Sequence, residues 1–485
     1  MKNQPKGHWL ILLLLALAQF MVVLDVSIVN VALPAIEKAF HLNQTTLQWM
    51  VTAYTLAFGG FLLLGGRAAD LYGRKRLFMI GTAMFGVASL LDGLAQSGSM
   101  LIALRAVQGL SAALMSPAAL SIVLVTYREG HERNLALSVW GAVASGGAAA
   151  GVLLGGVITE YLGWRWNFFI NVPVAIAVFF AAMRLLPAHE SEETHNELDL
   201  FGAVSITAAL MLLVYGIVEA PSHGWTAAST IAYLVSSAVL LAAFIWNERR
   251  VEHPLVPFHI FRIRNLTGAN LIMMPIVAGM FSTFFFISLY VQTVLGYSPV
   301  KTGLSFLVTP VVIALTAANV PHLVKRIGFK PILVVAPLFT GAALYWFSHI
   351  RVNGNYTHDV LPGLILLGIG MGATFIAITI AATSGVSGRE SGLASGLLNT
   401  SQQVGGALGL AILTGIATSR MTDYIHSHVA TSHSMMTQLS AQVHGYQGAF
   451  FVAVFFMLGA TVLAAVLLKQ SKQAAGETEV AAAMH

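Results

Sequence analysis

Apolar residues along the chain gather into fourteen long blocks that are separated by short polar connections. Each block is about 16 to 27 residues long, and a helix needs about 20 residues to cross about 30 Å of hydrocarbon. The blocks lack the alternating pattern of a membrane β-barrel, the other fold that satisfies its backbone in lipid. The pattern predicts an all-α polytopic membrane protein with fourteen transmembrane helices, numbered 1 to 14. Their cores are 10–33, 47–69, 77–94, 100–126, 135–158, 168–186, 200–218, 227–246, 266–290, 302–320, 332–347, 360–382, 393–418 and 448–468.

Two polar connections divide these helices into groups. "PAHESEETHNELD" (187–199) follows helix 6, and "NERRVEHPLVPFHIFRIRN" (247–265) follows helix 8. Repeated bundles around a central site are how many secondary transporters alternate access to the two sides of a membrane. We therefore predict an N-terminal six-helix bundle, a linker with two additional helices, a C-terminal six-helix bundle and a cytoplasmic tail, at 1–186, 187–265, 266–468 and 469–485.

Composition and charge agree with a membrane protein. Only 9% of the residues are charged, against about a quarter in soluble domains. Of 25 Lys and Arg residues, 19 fall on the side of the two termini, five on the other side and one, Arg105, inside a helix. The positive-inside rule places both termini in the cytoplasm, so we expect a multi-pass protein of the cytoplasmic membrane. The net charge of +5 then reflects topology, and nucleic acid is not an expected partner.

The first block and the absence of cysteine have simple interpretations. The block lacks a small-residue cleavage site and is too long for a signal peptide, so we expect a retained helix 1. A chain without cysteine has neither a disulfide framework nor thiol chemistry.

Three charged residues lie inside the predicted outer half of the first bundle. "LDVSIVNVALP" (24–34) carries Asp25 within helix 1, and a charge in hydrocarbon costs several kcal/mol on insertion scales. Arg105 in helix 4 needs an acidic partner, and Asp25 and Asp92 lie at similar depth. Arg105 forms either a structural pair with Asp92 or a pair with a titrating Asp25. We expect Asp25 to titrate, because intramembrane acids are functional by default and movement of a nearby arginine changes proton affinity. The role of Asp92 stays open.

Helical spacing assigns two faces to helix 1. Asn30 lies about 140° around the helix from Asp25, whereas Ser27, Asn30 and Pro34 share a face. We therefore expect Asp25 to face the central cavity, and Ser27 and Asn30 to contact a neighbouring helix.

The connection between helices 2 and 3 reads "GRAADLYGRKR" (66–76). Gly66 allows close helix approach and Gly73 a tight turn. Asp70 and Arg74 are suited to a charged latch at the cytoplasmic face that closes and releases. The alternative is a loop that is basic only because of topology, but the spacing of glycine, acid and base favours the latch.

Four ordered motifs resemble one family. "GRAADLYGRKR" is similar to the helix 2 to 3 signature of the major facilitator superfamily, and "LDVSIVNVALP" to helix 1 of its fourteen-helix drug:proton antiporters. "RAVQGLSAA" (105–113) resembles the helix 4 motif, and "WRWNFFINVP" (164–173) the start of helix 6. The resemblance implies the superfamily's fold and a transporter that uses a proton gradient as energy source, without a cofactor.

Helix 5 is the place of the antiporter motif in that family. Here it reads "GGAAAGVLLGG" (146–156), and Ala148 and Val152 stand where the family usually has prolines. The resemblance therefore leaves the usual kink in doubt, while a packing face of small residues remains. A generic small-residue packing face explains the pattern almost as well. The glycines of this face are Gly147, Gly151, Gly155 and Gly156.

Residues on three helices are candidates for an adaptable substrate cavity. Aromatic surfaces accommodate apolar molecules and attract organic cations, and buried amides need polar surroundings. Aromatic stripes in membrane helices also commonly face lipid or another helix. The candidates are Tyr54 and Phe58 on helix 2, Phe281 and Phe285 on helix 9, and Asn399, Gln402 and Gln403 on helix 13.

These features together predict a function. We expect proton-coupled efflux of apolar cationic or neutral drugs by alternating access, carried out by a monomer whose partners are small molecules, protons and lipid. Helices 7 to 14 lack a mid-membrane acid; by the family resemblance, this favours monovalent cations or neutral compounds. Alternatives are an exporter dedicated to one metabolite, lipid or antibiotic, and an uncoupled facilitator.

An enzyme and a metal site are not expected. The helices contain no HExxH motif, paired aspartates or Cys/His set, so an intramembrane enzyme is a remote alternative. Histidines in the connection 420–447 suggest a metal or proton site, but its Ser/Thr-rich setting favours a solvated loop.

Overall fold

Helices account for nearly all of the chain. The structure is a computed structural model, and it describes residues 6–127, 131–186, 199–252, 254–386, 391–428 and 434–469. These ranges contain no strand. Thirteen helical spans in them are long and apolar enough to cross a membrane. The helix over predicted helix 5 is 31 residues long. The polytopic all-helical class is confirmed, and the count of fourteen stays a prediction.

Eight helices cover the first predicted bundle. Predicted helices 2 and 6 each consist of a short helix that leads into a long one, and the other four are continuous. Side-chain caps begin two of the helices: the Asn43 side chain accepts a hydrogen bond from the amide of Thr46, and that of Ser97 from the amide of Met100. The helices are α1 (Lys6–Phe40), α2 (Gln44–Leu47), α3 (Trp49–Tyr72), α4 (Arg74–Gly93), α5 (Gly98–Thr126), α6 (His131–Tyr161), α7 (Trp166–Phe169) and α8 (Asn171–Leu185).

Nine α-helices cover most of the rest of the described chain. The first two correspond to predicted helices 7 and 8, and predicted helix 10 is divided in two at Leu307. The helices are α9 (Leu200–His223), α10 (Ala228–Glu248), α11 (Arg264–Leu289), α12 (Pro299–Phe306), α13 (Val308–Ile327), α14 (Phe329–Phe347), α15 (Leu361–Thr383), α16 (Ser391–Ser427) and α17 (Met435–Leu467).

The helices form two compact units. Unit 1 consists of Met1–Val256 and Phe284–Leu307, and unit 2 of Pro257–Thr283 and Val308–His485. In unit 1, α3 and α4 pack along α5, and α1 packs along α6. In unit 2, α14 packs between α15 and α17, and α16 packs on α17. The four segments predicted from the sequence remain predictions.

Candidate functional site

Asp25 lies at the centre of a buried polar cluster in unit 1. Its side chain has no exposed surface. Oδ2 accepts a hydrogen bond from Nη1 of Arg105 at 2.6 Å, while Oδ1 accepts from Nε2 of Gln108 at 2.9 Å and from Nδ2 of Asn171 at 2.8 Å. Three donors, one of them cationic, satisfy an ionised carboxylate. Helices α1, α5 and α8 therefore build the site together.

Arg105 is fixed on several sides. Its Nε donates to the carbonyl of Met50 at 3.1 Å, and Nη1 also donates to Oε1 of Gln108. The guanidinium carbon lies 4.4 Å from the centre of the Tyr54 ring, a distance suited to a cation–π contact. The neighbours on α3 thus hold the guanidinium in the direction of Asp25.

The position of Asp92 decides between the two pairings left open by the sequence. Asp92 is fully buried, and neither carboxyl oxygen has a hydrogen-bond partner within the described residues. One turn earlier on α4, the hydroxyl of Ser89 accepts a hydrogen bond from Nε2 of Gln108 at 2.7 Å. Arg105 is therefore paired with Asp25 in this structure. A buried acid without a partner is a candidate for the neutral form, because an unpaired buried charge is very costly.

The glycines of α6 lie against the helix that carries Asp25. A Cβ added at Gly151 would lie 2.7 Å from Cβ of Ser27 and 2.9 Å from the carbonyl oxygen of Leu24. One added at Gly155 would lie 2.9 Å from the carbonyl oxygen of Ile28, and Gly147 faces the next turn of α1. Ser27 thus contacts a neighbouring helix, on a different face from Asp25.

Gly156 faces α12 and not α1. A Cβ added there would meet the backbone of Pro299 at the start of α12. Close by, the amide of Val300 donates to Oε2 of Glu160 at 2.9 Å. The C-terminal part of α6 therefore contacts α1 and α12, and all three helices belong to unit 1.

The predicted cytoplasmic latch is described in part. Gly73 has φ of +94° and forms the turn between α3 and α4, a conformation that favours glycine. Gly66 faces Pro117 of α5, and Arg74 begins α4. The side chain of Asp70 lies outside the described part of the molecule, so its pairing with Arg74 stays a prediction.

Lys75 has a defined role in the same turn. Its Nζ donates to the carbonyls of Met183 at 3.0 Å and Leu186 at 2.5 Å. These are among the last carbonyls of α8, which a cation stabilises. The turn is thereby fixed to the end of predicted helix 6.

The substrate candidates occupy different environments. Tyr54 is fully buried beside Arg105, with Phe58 next to it at 5.9 Å between ring centres. Phe285 is fully buried against Phe286. The ring of Phe281 packs on Gly406 of α16.

The amides of α16 are less enclosed. Asn399 is exposed, and Gln402 and Gln403 are half-buried. Oε1 of Gln403 has no hydrogen-bond partner in the part of the chain that the structure describes. A role for these residues in substrate binding stays a prediction.

The histidines of 420–447 form no metal site within the described ranges, where no cluster of three potential ligands occurs. His428 stacks on Tyr424 at 4.3 Å between ring centres, and His444 lies 5.4 Å from the same ring. His433 lies outside the described residues.

Two residues of the Asp25 cluster, Gln108 and Asn171, are absent from the sequence-based candidates. Both lie inside motifs that the sequence offered, "RAVQGLSAA" and "WRWNFFINVP". Gln108 follows Arg105 by three residues, so the two share a helix face. For Asn171, the sequence signal is an amide side chain near the start of predicted helix 6, where lipid would leave it without a hydrogen-bond partner.

Comparison with known proteins agrees with this architecture. The chain is 39% identical over 477 residues to "Puromycin resistance protein pur8" of Streptomyces alboniger, covering 98% of this chain and 94% of the relative. It is 37% identical over 462 residues to "Cephamycin export protein CmcT" of Amycolatopsis lactamdurans, covering 94% and 92%. These similarities extend over nearly the whole chain.

A solved structure and a family model also match most of the chain. An inward-facing bacterial homolog of the human lysosomal transporter Spinster aligns with a TM-score of 0.69 at 16% identity, over 95% of this chain and 97% of that one. The family model described as Major Facilitator Superfamily matches residues 15–410. The chain belongs to the Major Facilitator Superfamily and is a membrane transporter, not an enzyme.

Proposed function

We propose that this transporter exports small apolar molecules, cationic or neutral, from the cell in exchange for protons. The observation that carries the proposal is the fully buried Asp25, held by Arg105, Gln108 and Asn171. The name of the cephamycin relative describes export, and the other relative is named for resistance to puromycin. Both the site and the relatives therefore support an efflux function.

Proton exchange follows from the chemistry of the cluster. A proton that reaches an oxygen of Asp25 removes the negative charge opposite Arg105 and turns that oxygen from an acceptor into a donor. Arg105 is then a buried cation without its counter-ion, which is a costly arrangement. Protonation thus destabilises the arrangement described above and favours another one, as a coupled transporter requires.

Asp92 supplies the other half of this exchange. Asp25 on α1 and Asp92 on α4 are both fully buried, and Gln108, beside Arg105 on α5, donates hydrogen bonds to both helices. Once Asp25 has taken up an external proton, we propose that Asp92 releases its proton to the cytoplasm and becomes the partner of Arg105. The cycle closes when the proton on Asp25 passes to Asp92. Whether Asp25 or Asp92 is ionised, the cluster then holds one carboxylate and the Arg105 guanidinium. Neither state therefore contains an uncompensated buried charge.

The experiment uses protein reconstituted in liposomes with an imposed pH gradient. Uptake of a dye cation and of puromycin, as the test antibiotic, is followed for wild type, Asp25→Asn and a matched Asp423→Asn control near the end of α16. We expect gradient-driven uptake in wild type and the control, and none in Asp25→Asn. Unchanged transport by Asp25→Asn would contradict the assignment of the proton to Asp25. Transport without any gradient would favour the uncoupled facilitator.

A dedicated exporter is the second candidate. The two relatives are each named for a single antibiotic or antibiotic class, which favours a narrow substrate range. The same liposomes distinguish the candidates: a dedicated exporter moves one of several chemically unrelated compounds, whereas a multidrug exporter moves most of them.

A further inference from the structure

A groove of about 680 Å³ lies at one end of unit 2, where α11 and α14 begin and α17 ends. Three cationic side chains line it: Arg264, Lys330 and Lys469. The described residues that line the groove include no acid, and the others are apolar. The apolar residues are Pro331, Val334, Val335 and Leu468. The groove therefore combines a concentrated positive charge with a hydrocarbon-like wall.

The cationic rim is fixed by hydrogen bonds between α11 and α17. Arg264 donates from Nε to the carbonyl of Leu467 and from Nη2 to that of Val466, both at 2.7 Å. The amide of Lys469 donates to Oδ1 of Asn265 at 2.9 Å. Arg264 thus caps the last carbonyls of α17 and is held at the rim. Contacts within the protein therefore hold this side of the groove in place.

Lys330 stands on the opposite side of the groove, in the first turn of α14. The residue before that helix is Gly328, and α14 has no side-chain cap. Amides of an uncapped first turn favour a nearby anion. Neither Lys330 nor Lys469 forms a salt bridge with an acid of the described chain. Both ammonium groups remain for an external anion.

We propose that this groove binds the head group of an anionic phospholipid from the cytoplasmic leaflet. Basic pockets between transmembrane helices on that side bind such head groups, and the leaflet itself carries anionic lipid. The positive-inside distribution places this end of the helices at the cytoplasmic surface. The proposal does not depend on proton exchange at Asp25.

The apolar wall favours a lipid over a free phosphate ion. Val334 and Val335 continue along α14 from Lys330 toward the membrane interior, and Val335 is half exposed. An acyl chain lying on these side chains removes apolar area from water. A bound lipid would also connect α14 to the α11–α17 contact. The occupant thus has both a phosphate and a hydrocarbon tail.

The test measures binding of phosphatidylglycerol to the purified full-length protein by native mass spectrometry, with phosphatidylcholine as the neutral lipid. We expect phosphatidylglycerol to bind and phosphatidylcholine not to bind in this groove. A lysine near an anionic surface contributes about fivefold in affinity, so Lys330→Gln with Lys469→Gln weakens binding about 30-fold. The single variants are each expected to weaken it about fivefold.

The matched control removes two charges at the same membrane surface but outside the groove. Lys325→Gln with Arg326→Gln changes the last turn of α13, where both side chains are exposed. We expect its affinity to equal that of wild type. Equal losses in the two double variants, or no loss in Lys330→Gln with Lys469→Gln, would overturn the proposal.

A competition arm separates lipid from free phosphate. Inorganic phosphate is added to the phosphatidylglycerol complex over a wide range of concentrations. We expect the lipid to stay bound at phosphate concentrations far above that of the lipid. Displacement at comparable concentrations would identify a simple anion site and overturn the assignment to a lipid. Thermal unfolding of each variant in phosphatidylcholine provides the check that the fold is unchanged.

Discussion

At the scale of single residues, the Asp25–Arg105 pair is buried and held by further hydrogen bonds. Removing one partner of such a pair costs more than removing both, because the remaining charge is left without compensation. We expect Arg105→Ala to lower the free energy of unfolding in detergent by about 3–5 kcal/mol. Adding Asp25→Asn to it should restore part of that loss. Thermal or chemical unfolding of the two single variants and the double variant measures the coupling.

The same unfolding measurement also tests whether Asp25 or Asp92 is the partner of Arg105. Asp92→Asn combined with Arg105→Ala is the matched comparison, since Asp92 is equally buried but has no hydrogen-bond partner among the described residues. If Asp92→Asn relieves the loss as well as Asp25→Asn does, then the two carboxylates share Arg105 equally and the pairing seen here is not the dominant one.

Asn171 permits a smaller and more specific change at the same site. Asn171→Leu removes one donor to the carboxylate and keeps a similar volume. Hydrogen bonds to charged groups contribute about 1.5–3 kcal/mol, so we expect a loss of that order in unfolding free energy. Asn319→Leu is the control, because the Asn319 side chain is exposed and bonds only to its own helix in the described structure. Equal stability of the Asn171 variant and wild type would show that Asn171 is not needed to hold Asp25.

Sequence reasoning found the charged residues of this site but not its amides Gln108 and Asn171, nor the pairing of Arg105. Depth along a helix follows from counting residues, so Asp25, Asp92 and Arg105 were placed at similar levels. The direction of the guanidinium depends on the carbonyl of Met50 and the ring of Tyr54. Those contacts depend on how α3 is rotated against α5, and a single helix sequence does not contain that information.

At the scale of elements, the contact between α6 and α1 depends on the absence of side chains. A Cβ at Gly151 would lie closer to Ser27 and Leu24 than real Cβ contacts allow, whereas one at Gly146 would meet nothing within 4 Å. We expect Gly151→Ala to cost about 1–3 kcal/mol through overpacking, and Gly146→Ala to have no measurable cost. Thermal unfolding and transport of the two variants provide the comparison. Equal stability and transport of the Gly151→Ala and Gly146→Ala variants would mean that α6 can shift on α1 without loss of free energy.

The C-terminal end of α6 offers a pH-dependent contact. Hydrogen bonds from the Ser298 side chain and the Val300 amide hold the pKa of Glu160 below its usual value. A group whose pKa is lowered by a contact stabilises that contact above its ordinary pKa, about 4.3, and the stabilisation is lost as pH falls through the lowered value. Acid therefore loosens α6 from α12, and neutral pH keeps the two helices together.

The test exploits the lack of cysteine in the chain. A single cysteine is introduced at Leu153, beside Gly303 of α12, and its labelling rate is compared between the Glu160→Gln variant and its parent at each pH. We expect faster labelling of the variant at pH 7, with the ratio approaching one in acid. A ratio that does not change with pH would contradict a role of the Glu160 charge.

Much of the element level was predictable. Apolar blocks predicted the order and approximate bounds of the long helices, and the glycine at position 73 predicted the turn between α3 and α4. The short α2 is a polar segment that begins at the Asn43 cap, and α7 has no side-chain cap. Neither of them, nor the break at Leu307, follows from the length and hydropathy of an apolar block. The partner of the glycine stripe was also not predictable, since small residues indicate close packing without naming the other helix.

At the scale of the whole molecule, the proposed proton exchange has a charge balance that depends on how many protons cross the membrane and on the charge of the substrate. Buried acids in the described residues are Asp25 and Asp92 inside the first bundle, with Asp199, Glu248 and Asp359 at helix ends. Asp359 is bonded to Arg351. If Asp25 and Asp92 exchange one proton between them, one proton crosses per cycle.

That stoichiometry makes the response to membrane potential depend on the substrate. One proton exchanged for a monovalent cation moves no net charge, whereas one exchanged for a neutral molecule moves one elementary charge. A charge is worth about 2.3 kcal/mol at 100 mV, which corresponds to roughly 50-fold accumulation. In proteoliposomes with a potassium–valinomycin potential and no pH gradient, we expect a neutral substrate to accumulate up to that limit and a monovalent cation not to accumulate. Potential-driven accumulation of the cation would require a second proton per cycle, and Asp92→Asn would then be expected to abolish it.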